Sequence, residues 1–330
     1  MPSLSALFQS LSPPPSDAKS ALVFSGITIP NCAHHLAKDS EGRPTILLET
    51  SSSNVRPPSV ALRNLRVDHE VRCHIRLSDG RSLDNSFSII QCQSVSPTLQ
   101  ECFLDLMAAL LKGLPSDPAA QDVSQNLDNV ALLFQALERP PSRSIQGLWG
   151  ELFIIVNSER PWVLVECWHG EAAERYDFGV ELYRLEVKTS GDRSRKHYFS
   201  FDQVYPPSGI IVCVASLFTE RATGGVSVGQ LWDKAREAVG NSLSLRLKID
   251  QVCIQSLGDA WEEALSVTFD PKLATQSLGF YNVQDIPRVS ALNPDGVSDI
   301  RFRSDLSLAQ PIGRDSGAVG PILESLGLKA

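Results

Sequence analysis

Several familiar chemistries have no signature in this sequence. There is no G-x-x-x-x-G-K-[ST] run, which excludes a P-loop nucleotide motor within the chain. No G-x-G-x-x-G follows a strand-like segment, and neither G-x-S-x-G nor H-E-x-x-H occurs. No apolar run approaches the roughly 18 residues that a membrane span needs, so no membrane association is expected. The start, MPSLSALFQSLSPPPS, lacks a basic segment followed by a long apolar one, and no signal peptide is expected. None of the seven cysteines lies at C-x-x-C spacing, and Cys73 and His74 are adjacent rather than spaced as ligands. Reduced thiols in a cytoplasmic protein without zinc follow from that pattern. An excess of positive charge is also missing: 30 Lys and Arg stand against 38 Asp and Glu, a net charge of −8. Proteins that hold nucleic acid by bulk electrostatics are usually basic. Any contact with DNA must then come from local positive patches or from a partner subunit.

What is present is ordinary globular material: 330 residues, 42% hydrophobic and 21% charged. That length supports a sizeable core and two structural units. Residues 1–20 are rich in Ser and Pro and read as a flexible leader. Residues 21–140 read as a β-rich domain ending in helices. Val71, Cys73, Ile75 and Leu77 alternate with polar residues as in a half-buried strand, Asp79-Gly80 turns the chain, and 86–90 returns. The pattern predicts helices at 98–113 and about 127–138, with 114–128 as a polar connection. Arg63, Arg66, Arg72, Arg76 and Arg81 punctuate this region; solvation explains them better than a nucleic-acid stripe.

The stretch 139–144 marks a boundary, and 141–330 reads as a second domain with a carboxy-terminal extension. Ser144 is a good N-cap for a helix over about 144–157. Trp162-Val163-Leu164-Val165 reads as a strand. Segments 174–180 and 183–189 read as adjacent strands with a tight turn near Glu181, and Ile210–Val214 as another. A helix is expected at 227–239, whereas 243–256 fits a strand or a helix. The fold class is therefore α/β, or α+β over the whole chain.

Three acid-x-Lys triplets occur: Asp17-Ala18-Lys19, Asp270-Pro271-Lys272 and Glu186-Val187-Lys188. Only the third lies in a strand-like segment, where residues two apart share a face. Glu186 and Lys188 would then project together. Phosphodiester hydrolysis needs a metal to activate water and offset phosphate charge, and Mg²⁺ prefers carboxylate oxygens. Asp177, nine residues before Glu186, is placed to complete such a seat from the preceding strand, and Lys188 to assist water attack. Glu151 follows Gly147-Leu148-Trp149-Gly150. Two glycines cost a helix about 1 kcal/mol each and predict close packing of that helix against the sheet, which brings Glu151 toward the metal. Arg193, Arg195, Lys196 and His197 directly follow the strand and are candidates for phosphate contact.

These residues carry a resemblance. Gly147–Leu152, Trp168-His169-Gly170, Asp177-Phe178, Glu186–Thr189, His197–Ser200 and Gln203 resemble the PD-(D/E)XK, or restriction-endonuclease-like, superfamily. More narrowly, they resemble its uncharacterised proteins from bacterial restriction and phage-defence gene clusters. The resemblance implies a mixed sheet flanked by helices, with Asp177, Glu186 and Glu151 as metal ligands and Lys188 and Gln203 in the catalytic set. It also implies Mg²⁺ as cofactor, which Mn²⁺ can replace, and DNA as substrate. Protein partners from a defence operon, such as an ATPase or a methyltransferase, are expected with it. Tyr176 stands where the name-giving proline would be, at a position that varies widely in the superfamily.

Overall fold

The computed structural model describes residues 3–14, 23–51, 56–115, 117–170, 174–290, 297–313 and 321–327. The Asp17-Ala18-Lys19 triplet lies outside them. The chain divides into two units, residues 1–138 and 139–330.

The first unit begins with a short helix, α1 (Leu4–Gln9), where a loose leader was expected. Ser3 caps it, and Leu4 and Phe8 are buried. The apolar–polar alternation that follows produces β1 (Val23–Thr28), β2 (His35–Lys38), β3 (Pro44–Leu48), β4 (Val60–Ala61), β5 (Leu65–Leu77) and β6 (Ser82–Cys92). They pair in the order β1-β2-β3-β6-β5, and β5 returns to pair parallel with β1. Five strands thus close into a barrel, with β4 paired to β5. Gly26 sits at the closure, where a Cβ would lie 2.8 Å from Ile75 Cγ2; only glycine lets the two strands approach. Phe24, Leu47, Ile75 and Phe87 fill this core. Two helices follow, α2 (Pro97–Gly113) and α3 (Ala120–Ala136). The second starts well before the expected position 127. Asp122 reaches back to accept the Ala119 N–H at 2.8 Å, and Ala120, Val123, Leu127, Val130 and Phe134 bury one helical face.

The second unit opens with α4 (Ile145–Val156), capped by Ser144, which accepts the Gly147 N–H at 3.0 Å. Helix α5 (Pro161–Cys167) comes next. It corrects the strand expected at 162–165: Pro161 sets the first helical turn, and Leu164 and Val165 are buried. Strand β7 is confined to Phe178–Val180, and Glu181, at φ +49°, turns the chain into β8 (Tyr183–Ser190). Then follow β9 (Lys196–Ser200), α6 (Phe201–Val204), β10 (Ile211–Phe218), β11 (Arg221–Ser227), α7 (Val228–Ala238) and α8 (Leu243–Leu257). The ambiguous 243–256 segment is this last helix: its buried residues Ile249, Val252, Cys253, Ser256 and Leu257 recur at helical spacing. After it come α9 (Trp261–Ser266), β12 (Thr268–Phe269), α10 (Pro271–Ser277), β13 (Gly279–Asn282), β14 (Arg301–Asp305) and α11 (Pro321–Ser325). Asp270 caps α10 through the Lys272 and Leu273 N–H groups, so the Asp270-Pro271-Lys272 triplet is a helix start. The central sheet runs β13-β10-β8-β7, with β8 and β10 parallel and the outer pairings antiparallel. Two ribbons, β11–β12 and β9–β14, stand apart from it. Across both units the fold is α+β, with a mixed sheet in the second.

Candidate active site

Helix α4 lies directly on strand β8 because residue 150 is glycine. A Cβ there would fall 2.3 Å from Thr189 Cγ2 and 3.5 Å from Val187 Cγ1. The close approach brings the next residue, Glu151, into the interior at 4% exposure. From the other side comes Asp177, just before β7, whose Oδ2 accepts the Val187 N–H at 2.8 Å. That bond seats Asp177 on the β8 backbone between Glu186 and Lys188. These two share a face, as the period of a strand requires, and Lys188 Nζ lies 2.6 Å from Glu186 Oε1. The Lys188 ammonium also rests 5.0 Å from the centre of the Phe199 ring.

Gln203 joins the group through a capping arrangement at α6. Its Oε1 accepts the Ser200 N–H at 3.1 Å, while its Nε2 donates to Glu186 Oε1 at 2.7 Å and to the Arg175 carbonyl at 3.1 Å. The residue is a helix cap and a support for Glu186 at once. Tyr176 donates its hydroxyl to the Gln203 carbonyl at 3.1 Å, which ties the segment before Asp177 to the same corner.

Burial raises all three acids, and neighbouring carboxylates add to it at Glu151 and Glu186. Burial, then the neighbouring Asp177, pushes the Glu151 carboxyl up to about 8. The same two causes push Glu186 up to about 7. Burial also raises Asp177, opposed by the Arg143 guanidinium. Such a cluster favours a cation that can take up its negative charge.

Arg143 is the residue that sequence reasoning missed. Its guanidinium forms a short hydrogen-bonded ion pair with Glu151 Oε2 and donates to the His169 carbonyl at 2.7 Å. Trp168 Nε1 donates to the same Glu151 oxygen at 2.6 Å. Trp168, part of the Trp168-His169-Gly170 match, therefore holds an acid of the site. His169 also fixes the neighbouring acid, since its N–H donates to the Asp177 carbonyl at 2.8 Å.

Each of the three acids is engaged through one carboxylate oxygen. Among the described residues, no three His, Cys, Asp or Glu side chains are arranged as a ready cage. Asp177 and Glu186 fit a hard divalent cation, because Mg²⁺ is commonly held by one or two carboxylates together with waters and substrate oxygens. Glu151, expected as a third ligand, has its Oε2 engaged by Arg143 and Trp168.

The four basic residues after β8 are not brought together. Arg193 forms a bidentate pair with Glu220, at 2.5 and 2.8 Å. Arg195 donates to the Ser216 carbonyl and hydroxyl at 3.0 Å and to the Ser277 carbonyl. His197 is buried, with Nε2 2.8 Å from Ser216 Oγ, and burial with Lys188 nearby lowers its imidazole to about 4. Arg195 and His197 are thus turned into the protein rather than toward a phosphate. Lys196 alone of the four projects from the exposed side of β9.

Residues 4–307 match the family described as "Putative PD-(D/E)XK family member, (DUF4420)". The chain belongs to this family. No curated protein and no solved structure matches the chain. Membership in the PD-(D/E)XK family carries a nuclease-type fold; in the mixed sheet Glu186 and Lys188 lie on β8, and Asp177 just precedes the adjacent β7. Among the described residues, no helix is long and apolar enough to cross a membrane.

Proposed function

We propose that this PD-(D/E)XK protein is a Mg²⁺-dependent endonuclease that hydrolyses DNA phosphodiester bonds. The observation that carries the reading is the convergence on β8, where Lys188 Nζ lies 2.6 Å from Glu186 Oε1 and Asp177 is hydrogen-bonded to the intervening Val187 N–H. Asp177 and Glu186 would hold Mg²⁺ or Mn²⁺, which would supply charge to activate water and offset that of the phosphate. Gln203 fixes the orientation of Glu186. Lys188 presents its ammonium where the attacking water and the developing phosphate charge can be met. Glu151, clasped by Arg143 and Trp168, shapes the wall of the site.

The chain is acidic and has no P-loop sequence, which favours work alongside other subunits, such as an ATPase or a methyltransferase, and its scattered free cysteines suit the cytoplasm. A restriction or anti-phage setting agrees with that need. A second reading is a non-catalytic nucleic-acid-binding or assembly subunit that keeps the nuclease fold. It is favoured by the engagement of Glu151 with Arg143 and Trp168.

Nicking of supercoiled plasmid in Mg²⁺ or Mn²⁺ separates the two. Wild type is expected to cut, with Lys188→Ala and Asp177→Asn slower by about 100-fold or more. Intact plasmid after incubation with wild type, alone and with the products of neighbouring genes, would favour the second reading.

A further inference from the structure

The outer face of the β9–β14 ribbon takes no part in the acid–lysine centre. Its strands run antiparallel, with Ser200 opposite Arg301, Tyr198 opposite Arg303 and Lys196 opposite Asp305. Residues two apart share a face, so Lys196, Tyr198, Arg301, Arg303 and Asp305 form one surface. Their alternates go inward: His197, Phe199 and Ser304 are buried, and Phe199 lies beneath the Lys188 ammonium.

The outer surface holds three cations and one carboxylate, in a chain whose net charge is −8. Part of that single carboxylate is engaged locally, since Asp305 Oδ1 accepts the Ser307 N–H at 3.0 Å and its hydroxyl at 2.6 Å. Arg303 also lies 3.9 Å from Asp192, an exposed pairing worth little in water. A positive patch on an acidic protein is the local footprint a polyanion requires.

Charge alone would suit any nucleic acid; the aromatic residue narrows the choice. Tyr198 is 67% exposed, and the Arg303 guanidinium stands 5.8 Å from its ring centre. A ring this exposed, with a guanidinium over one face, is a stacking platform for a base at its other face. Bases in a duplex are already stacked on one another and offer only their edges. Unpaired bases offer their faces.

We infer that the outer face of the β9–β14 ribbon binds single-stranded nucleic acid. One base stacks on Tyr198, while Lys196, Arg301 and Arg303 meet the flanking phosphates. This inference rests on the nuclease reading, because it names the strand state that reading leaves open. The ribbon's opposite face meets the acid–lysine centre, since Phe199, next to Tyr198 in the strand, lies beneath Lys188.

The test uses the full chain in EDTA, so that binding is read without cleavage. Fluorescence anisotropy is followed with a labelled 20-nucleotide oligothymidine and with a 20-base-pair duplex. Wild type is expected to prefer the single strand. Tyr198→Ala weakens that binding about tenfold, whereas Tyr198→Phe stays within about twofold of wild type. Arg301→Ala with Arg303→Ala lowers affinity and flattens the dependence of log Kd on log salt by about 1.4, or ~0.7 for each phosphate no longer neutralised. All these positions are on the surface, and unchanged unfolding temperatures check that the variants fold. Three results would each overturn the inference. One is no binding of oligothymidine by wild type. Another is an affinity untouched by Tyr198→Ala and by the double arginine variant. The third is a duplex preference to which Tyr198 is indifferent. Because no metal is present, a failure to cut plasmid leaves this result standing, and a failure to bind here leaves the plasmid result standing.

Discussion

His197 is a histidine held neutral inside the protein. Burial, helped by Lys188 and Arg195, takes its imidazole from the ordinary 6.5 down to about 4. Above pH 6.5 the ring is neutral in folded and unfolded chains alike, and adds nothing to the pH dependence. Between about 6.5 and 4 the unfolded chain binds a proton that the folded chain refuses, so stability falls with pH through that window. His197→Gln, which can still hydrogen-bond Ser216, is expected to lose less unfolding free energy between pH 7 and 4.5. Urea titrations at several pH values measure this, and matching slopes for the two proteins would remove His197 as the source. The same residue shows what was legible at this scale. Glu186 and Lys188 could be placed on one face because a strand's period of two is local. That period also divides the basic run, sending Arg195 and His197 inward while Lys196 and Tyr198 face out, but it was read there only as a cluster of charge. Arg143 and Trp168 were hidden for another reason. They reach Glu151 across eight and 17 positions, and no short-range pattern encodes a bond made by tertiary packing.

Among the elements, α4 and β8 are the pair on which the site depends, and Gly150 is the reason they touch. Gly150→Ala would normally favour a helix by about 1 kcal/mol. Here the new methyl meets Thr189 Cγ2 at 2.3 Å, and overpacking of that kind costs about 1–3 kcal/mol. The expected result is a lower unfolding temperature together with weaker cleavage. Thr189→Ser removes the opposing methyl and should recover most of the loss in the double variant. A double-mutant cycle by thermal denaturation reads the coupling, and additive losses would place the strain elsewhere. The glycine pair around Trp149 was legible as a sign of close packing. Two segments that the sequence leaves unclear share one trait, in that their apolar residues are short or dense enough to suit either period. Trp162–Val165 is four residues long and looks like a strand until Pro161 is taken as the first turn of a helix. Leu243, Leu245 and Leu247 alternate on a strand's two-residue period at the start of α8. Only the buried set from Ile249 onward shows the helical repeat. In α3 the polar residues at 121–126 hid an apolar face that begins at Ala120.

Each unit of the whole molecule has a hydrophobic core of its own. One is the barrel filled by Phe24, Leu47, Ile75 and Phe87, and the other is packed around Phe199, Val212, Val214 and Tyr281. Units with their own cores can unfold separately, so calorimetry is expected to resolve two transitions. A cation that binds only the folded chain raises stability by about 2.7 kcal/mol at 100 times its dissociation constant. Mg²⁺ should therefore move one transition upward, Asp177→Asn should abolish the shift, and Ile75→Ala should lower the other transition. A shift of both by Mg²⁺, or of neither, would contradict a metal seat confined to residues 139–330. The pairing of Arg301 with Ser200 has a consequence in time as well. During synthesis at about 5–20 residues per second, β9 leaves the ribosome roughly 5–20 s before its partner strand exists. For that interval a nascent chain already carries Asp177, Glu186 and Lys188, yet lacks the strand that pairs with β9. The order of translation thus makes the ribbon the late step, and a newborn chain meets nucleic acid with its gripping surface still half made.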